Sequence, residues 1–267
     1  MYNKVAIAIG AHPDDIEFYM AGTLLQLKRA GHEIHYLTVA NGSCGSVKYN
    51  ASATRSIRNT EARAAAKILG AHFHPSFTED LEILYNLDQL RALAAIIREV
   101  KPGIVLTHSP QDYMEDHMNT SRLAVTAAFT RGMPNFKTVP ARPPADYDVT
   151  VYHAMTQGLR DQLRQRIIPG AFVNTTPVHK LQLQALAAHK SQQNWLDVSQ
   201  GLSSYLLAAE DSLLAVGRLS KKFKYAEGWR RHLHYGYCAT DADPLADALG
   251  KNYLVNQAYE RSLERGL

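Results

Sequence analysis

Cysteine is scarce: Cys44 and Cys238 are the only two in 267 residues. Two thiols so far apart build neither a disulfide framework nor a cysteine-based zinc motif. No apolar run reaches about 18 residues, the length that would suggest a transmembrane helix. The N-terminal residues make a poor secretory leader, because one lysine precedes a short apolar run that His12 and two aspartates interrupt. Charge of one sign is not concentrated either. The net charge is +4, and Lys221-Lys222-Phe223-Lys224 is the only dense basic run. That run reads as a solvated helix end, so no nucleic-acid partner is expected. Internal repeats and low-complexity tracts are lacking. The remaining composition, 46% hydrophobic and 20% charged, is that of an ordinary globular protein, expected to be cytoplasmic and reduced.

The chain reads as alternating strands and helices. Lys4 to Ile9 is apolar and partly β-branched, the pattern of a buried parallel strand. Ile16, Met20, Leu24, Leu25 and Leu27 then recur at helical spacing, up to Gly31. His32–Ala40 is a second strand, completing a βαβ unit. Asn41–Thr54 is a loop rich in Gly, Ser and Asn; Ser56–Leu69 is a helix; Ala71–Phe77 is a short strand. Asp88–Val100 is a helix, Ile104–His108 a strand, Ser109–Asp116 a loop and His117–Arg131 a helix. Residues 133–147 hold four prolines and read as a surface loop. Asp148–Ala154 is a strand, while Val178–Trp195 and Ser203–Val216 are helices. The recurrence predicts an α/β fold: a doubly wound, mostly parallel sheet with helices on both faces. One domain is expected over residues 1–240, with a helical extension or tail over 241–267. A homo-oligomer through the C-terminal helices is compatible with this reading.

Chemistry concentrates at the end of the first strand, in Ala11-His12-Pro13-Asp14-Asp15. In an open α/β sheet, ligands bind at such strand-to-helix handovers. A dinucleotide fingerprint fails here, because the turn has one glycine and two carboxylates that would repel a pyrophosphate. His12, Asp15 and His117 together form a ligand set for catalytic zinc, which takes three protein ligands and leaves a position for water. Singly, each has an ordinary reading, an aspartate as a helix cap and a histidine as a core or surface residue. Together, at two strand ends, they favour metal chemistry. Neighbouring aspartates in a helical turn point about 100° apart, so one would bind the ion while the other acted as general base.

At these residues the sequence resembles the PIG-L, or LmbE-like, zinc-dependent N-deacetylases. Ala11 to Asp15 matches the family's Ala-His-Pro-Asp-Asp hallmark, and Asp116-His117 its later Asp-His pair. Arg58 to Ala66 is similar to its Arg-x-x-Glu-x-x-x-Ala-Ala helix. Lys180 and Ala188-His189-Lys190-Ser191-Gln192 resemble a further family segment, and Tyr225-Ala226-Glu227-Gly228-Trp229 its terminal signature. The resemblance spans about residues 4–230. It implies a Rossmann-like fold and hydrolysis of an N-acetyl or N-acyl amide, commonly on an amino sugar or glycoconjugate. By position it makes His12, Asp15 and His117 the ligands of one zinc ion, Asp14 the base and Arg58 a substrate-binding residue. Asp116 would orient a ligand imidazole or cap its helix.

One position departs from the family. Met114 stands where the family often has a histidine that stabilises the oxyanion or protonates the amine. Methionine can do neither. Tyr113, His108 and His189 are the candidate substitutes, and loss of one donor would lower turnover by the order of 10²-fold. Two alternatives keep the fold. In one, the same metal site cleaves a larger acyl amide or a thiol-conjugate amide. In the other, Met114 marks a non-catalytic carbohydrate-binding homologue.

Overall fold

In the computed structural model, residues 2–193 and 205–264 are described. Five strands run parallel: β1 (Val5–Gly10), β2 (Glu33–Thr38), β3 (His72–His74), β4 (Ile104–Thr107) and β5 (Thr150–Ala154). Three more complete the sheet: β6 (Ala171–Asn174), β7 (Ala226–Arg231) and β8 (Tyr253–Val255). The spatial order is β3-β2-β1-β4-β5-β7-β6-β8. β7 is antiparallel to both β5 and β6, and β8 is antiparallel to β6.

Alternation along β1 explains why both faces are covered. Ala6 and Ala8 pack into a core with Leu24 and Leu27 of α2 (Ala21–Arg29) and Ala62, Ala65 and Leu69 of α3 (Ala51–Leu69). Ile7 and Ile9 face the opposite core, with Leu93 and Ile97 of α4 (Leu87–Val100) and Leu123 and Ala127 of α5 (Glu115–Phe129). A strand buried on both sides reads as a continuous apolar run, which is why β1 was legible.

Four of the expected elements are redrawn in the structure, and two strands, β6 and β7, were not expected at all. The first helix is two, α1 (Asp15–Tyr19) and α2, broken at Met20, where φ is −138°. The helix expected from Ser56 begins at Ala51, because the Asn50 side chain accepts a hydrogen bond from the Ala53 N–H and caps it inside the predicted loop. The helix expected over Val178–Trp195 gives α6 (His179–Leu186), with Trp195 outside the described residues, and α7 (Tyr205–Ser220) follows, with Ser203 also outside. Fourth, the expected tail after residue 240 holds α8 (Pro244–Leu249), the edge strand β8 and α9 (Gln257–Glu264). Leu245, Leu249 and Tyr253 join the first core, so this segment closes one edge of the sheet.

β7 escapes a periodicity search because its fit is polar. Glu227 accepts from the backbone N–H groups of Gly22 and Thr23 at 2.8 and 2.7 Å, and from Thr23 Oγ1 at 2.6 Å. It thereby caps α2 from a distant strand. Trp229 Nε1 donates to Thr23 Oγ1 at 2.9 Å. Among the described residues, no helix is long and apolar enough to cross a membrane.

Candidate metal centre

The strand order makes β1 and β4 neighbours, so the turn after β1 and the start of α5 meet at one edge of the sheet. There His12, Asp15 and His117 bring ligand atoms within 4.8 Å of one another, all three buried. Asp15 Oδ2 lies 3.5 Å from His12 Nδ1, and Asp15 Oδ1 lies 3.3 Å from His117 Nε2. Pro13 does not sit in the first helical turn, as its sequence position suggests; the helix begins at Asp15. Convergence instead comes from Asp15 Oδ2, which accepts from the N–H groups of Ala11 and His12 at 3.1 and 2.7 Å.

The other nitrogen of each imidazole is anchored by carboxylate. His12 Nε2 stands 2.9 Å from Asp116 Oδ2 and 3.0 Å from Asp80 Oδ1. His117 Nδ1 stands 3.0 Å from Asp112 Oδ1. Donation on those sides leaves His12 Nδ1 and His117 Nε2 with lone pairs toward Asp15. This is the outer-shell arrangement that orients metal-binding histidines. Without an ion, the same carboxylates favour the protonated rings, and a bound cation would take the place of those protons. Burial disfavours charge on His117, but Asp15 and Asp112 outweigh it and push its pKa up to about 9. His12 is likewise raised well above the ordinary value: burial opposes this, and Asp116, Asp15 and Asp80 prevail. Asp15 is held well below the usual carboxylate range despite its burial, by His117 and His108. The pocket thus attracts positive charge, and its donor set fits a zinc-class cation.

Asp14 diverges from this cluster. Its φ of 110° is a conformation that side chains seldom adopt, and it turns the carboxylate away from Asp15's partners. Asp14 Oδ2 accepts from Tyr205 Oη at 2.8 Å, and Oδ1 lies 3.3 Å from Arg58 Nη2. Burial raises the Asp14 pKa, with Arg58 pulling the other way. Arg58, expected at the substrate, donates to the Pro13 carbonyl, and to the Gly42 carbonyl at 3.3 Å. Its guanidinium holds the Asp14 turn against the loop after β2. Gly42 has a φ of 71°, and a Cβ there would meet that guanidinium.

A cleft of about 330 Å³ opens over the cluster, lined by His12, Asp14, Asp15, Asp80 and His117 and walled by Phe18, Tyr19, Leu81, Tyr113 and Met114. A larger hollow of about 540 Å³ lies beyond the Pro13 turn, lined by Arg55, Asn59 and Glu79, and contains none of the metal-binding set. Of the three expected substitutes for the missing histidine, Tyr113 lines the cleft, its ring 5.5 Å from that of His117. Its pKa is pushed up by burial and by Asp15, so the hydroxyl keeps its proton. His108 stacks on His117 at 4.1 Å, and its Nε2, 3.0 Å from the Ala11 nitrogen and 3.2 Å from Asp15 Oδ2, is engaged by the turn itself, so His108 does not line the cleft. His189 is fully buried beside Glu17, at 3.5 Å, behind the cleft wall.

Reasoning from sequence missed Asp80, Asp112 and Tyr205. Asp112 was reachable, as a carboxylate five residues before His117. Asp80 and Tyr205 come from distant elements and carry no periodic signal. The family-like segments also meet one another: Glu61 accepts from the Ser191 N–H and Oγ at 2.8 and 2.6 Å, and Gln192 Nε2 donates to the Gly45 carbonyl at 3.0 Å.

The family model described as GlcNAc-PI de-N-acetylase (PIG-L) matches residues 7–128, a span that includes His12, Asp15 and His117. The diacetylchitobiose deacetylase of Thermococcus kodakarensis is 28% identical over 85% of this chain and 82% of its own. The uncharacterized deacetylase YaiS of Escherichia coli is 32% identical over 48% of this chain and 69% of its own. Among solved structures, the N,N'-diacetylchitobiose deacetylase of Pyrococcus horikoshii superposes with a TM-score of 0.71 at 22% identity, covering 91% of this chain and 88% of that one. GalB, the 4-carboxy-2-hydroxymuconate hydratase of Pseudomonas putida, gives 0.73 at 21% identity, covering 90% and 98%. The chain belongs to the PIG-L family of LmbE-like deacetylases.

Proposed function

We propose that this protein is a zinc-dependent N-deacetylase of an amino-sugar substrate, with His12, Asp15 and His117 as the ligands of one ion. The observation that carries the reading is the convergence of those three donors, each imidazole backed by a carboxylate, beside the separately held Asp14. Zinc supplies a Lewis acid for the amide carbonyl and for water. Asp14 takes the proton of the attacking water, a step worth about 10²–10⁴ in rate when the base is positioned. Tyr205 and Arg58 hold the carboxylate for it. The Tyr113 hydroxyl, at the cleft wall, donates to the carbonyl oxygen as charge develops there. Asp14 then returns its proton to the departing amine. Diacetylchitobiose-type sugars, named for the relative with the longest match reported above, are the substrates to try first.

The hydratase reading has less support. A substrate bearing carboxylates needs cations, and among the described lining residues Arg58 is the sole arginine or lysine. Its guanidinium is already engaged by two carbonyls and Asp14. A longer acyl group remains compatible with the apolar wall, and rates across N-acyl chain lengths decide that point. The test of the central step is acetate release from N,N'-diacetylchitobiose by wild type and Asp14→Asn. Release by the wild type and its loss in the zinc-loaded variant support the assignment. Undiminished turnover in the variant removes Asp14 from the mechanism.

A further inference from the structure

A second group of metal-binding side chains lies away from the cleft, toward the other ends of the strands. β3 is the edge strand of the sheet, and its three residues are His72, Phe73 and His74. The neighbouring strand β2 starts at Glu33, and the parallel register sets His35 opposite His72. Residues two apart share a face of a strand. Glu33, His35, His72 and His74 therefore gather on one face.

The contacts are close. His35 Nε2 lies 3.0 Å from Glu33 Oε1, and His72 Nε2 lies 3.5 Å from the same oxygen. His35 Nδ1 lies 2.9 Å from His74 Nε2. The His35 ring packs against both others, with centroids 5.0 and 5.1 Å away. His35 is buried, whereas Glu33 and His72 are exposed, so the group is open to ions from solvent.

These separations have a metrical meaning. A tetrahedral zinc with bonds of about 2.0–2.1 Å sets its ligand atoms roughly 3.3–3.4 Å apart. Glu33 Oε1 stands within a few tenths of that edge from both nitrogens, while the two imidazoles do not yet bring their nitrogens within 4.8 Å of each other, so the His72 ring has to swing inward to close the third edge. We infer that Glu33 Oε1, His35 Nε2 and His72 Nε2 bind a divalent cation of the zinc class, with the exposed His72 side chain adjusting to complete the set. The ion displaces the proton shared between His35 and Glu33. His35 Nδ1 then carries its N–H and donates it to His74 Nε2, which fixes the tautomer. Two histidines and one carboxylate leave the remaining position to water. The consequence is structural. The ion pins a three-residue edge strand to β2, just before the loop that brings Asp80 to His12.

Zinc titration of apo protein tests this without any assay of turnover. The His117→Ala chain, with the cleft centre removed, is expected to bind one equivalent of zinc and to melt higher with it. Adding His72→Ala, an exposed change that the fold tolerates, should weaken that equivalent tenfold or more and abolish the melting shift. His72→Ala alone should lose the same equivalent while keeping the cleft's ion. No zinc bound by His117→Ala, or binding indifferent to His72→Ala, overturns the inference.

Discussion

Asp14 and Asp15 are adjacent, chemically identical and buried to the same degree, yet the structure separates their surroundings. Asp15 is tied back to two backbone N–H groups and faces two imidazoles. Asp14 is turned by its positive φ toward Tyr205 and Arg58. A hydrogen bond to a charged group contributes about 1.5–3 kcal/mol, so losing the one from Tyr205 has a visible cost. Tyr205→Phe is expected to lower kcat about tenfold or more, 1.4 kcal/mol being tenfold, with KM and zinc content unchanged. Steady-state kinetics beside metal analysis checks it, and a change in KM alone would speak for a merely structural contact. Tyr113→Phe removes the proposed donor at the cleft wall. A fall in kcat of the order of 10² is expected, the effect of losing one oxyanion donor. His12 and Asp15 were legible as candidates because a strand end followed by His-Pro-Asp-Asp is a local pattern, and His117 because it follows a second strand end. Tyr205 was not, since only tertiary contact relates it to Asp14.

Among the elements, β7 and α2 best illustrate what a sequence conceals. The run Ala226 to Arg231 has no hydrophobic alternation, and its strand is fixed by Glu227 capping α2. The carboxyl is fully buried, and burial raises its pKa to about 7, although Thr23, Gly22 and Gln182 donate to it. The folded value exceeds the ordinary 4.5 of an unfolded glutamate. The associated stability is therefore complete below about pH 4.5 and lost as pH rises through 7, up to about 3 kcal/mol at 1.36 kcal/mol per unit. Urea unfolding of wild type and Glu227→Gln from pH 5 to 8 should show the difference between them shrinking as pH rises. A difference that grows with pH would mean that the carboxylate is folded in its charged form. The parallel strands, by contrast, were readable from β-branched apolar runs buried on both faces. The C-terminal edge strand was not, because three residues carry too little period to register.

For the whole molecule, the sheet sets two chemistries at its two ends: a carboxylate-backed cleft where β1 and β4 finish, and an imidazole cluster where β2 and β3 begin. Ions bound only by the folded chain stabilise it by about 2.7 kcal/mol at a hundredfold excess over Kd. For a chain of this size, chelation should lower the melting temperature by about 5–10 °C, with a smaller drop in His117→Ala. Calorimetry with and without a chelator measures both. The family was recognisable from the first turn, and the long-range partners of that turn required the fold. The most direct test of the metal centre is the zinc content of purified wild type beside His117→Ala. The wild type should hold one zinc per chain more than the variant, tying two segments a hundred residues apart to one ion. Equal zinc in both would mean that His117 binds no metal, and the deacetylase mechanism built on it would fall.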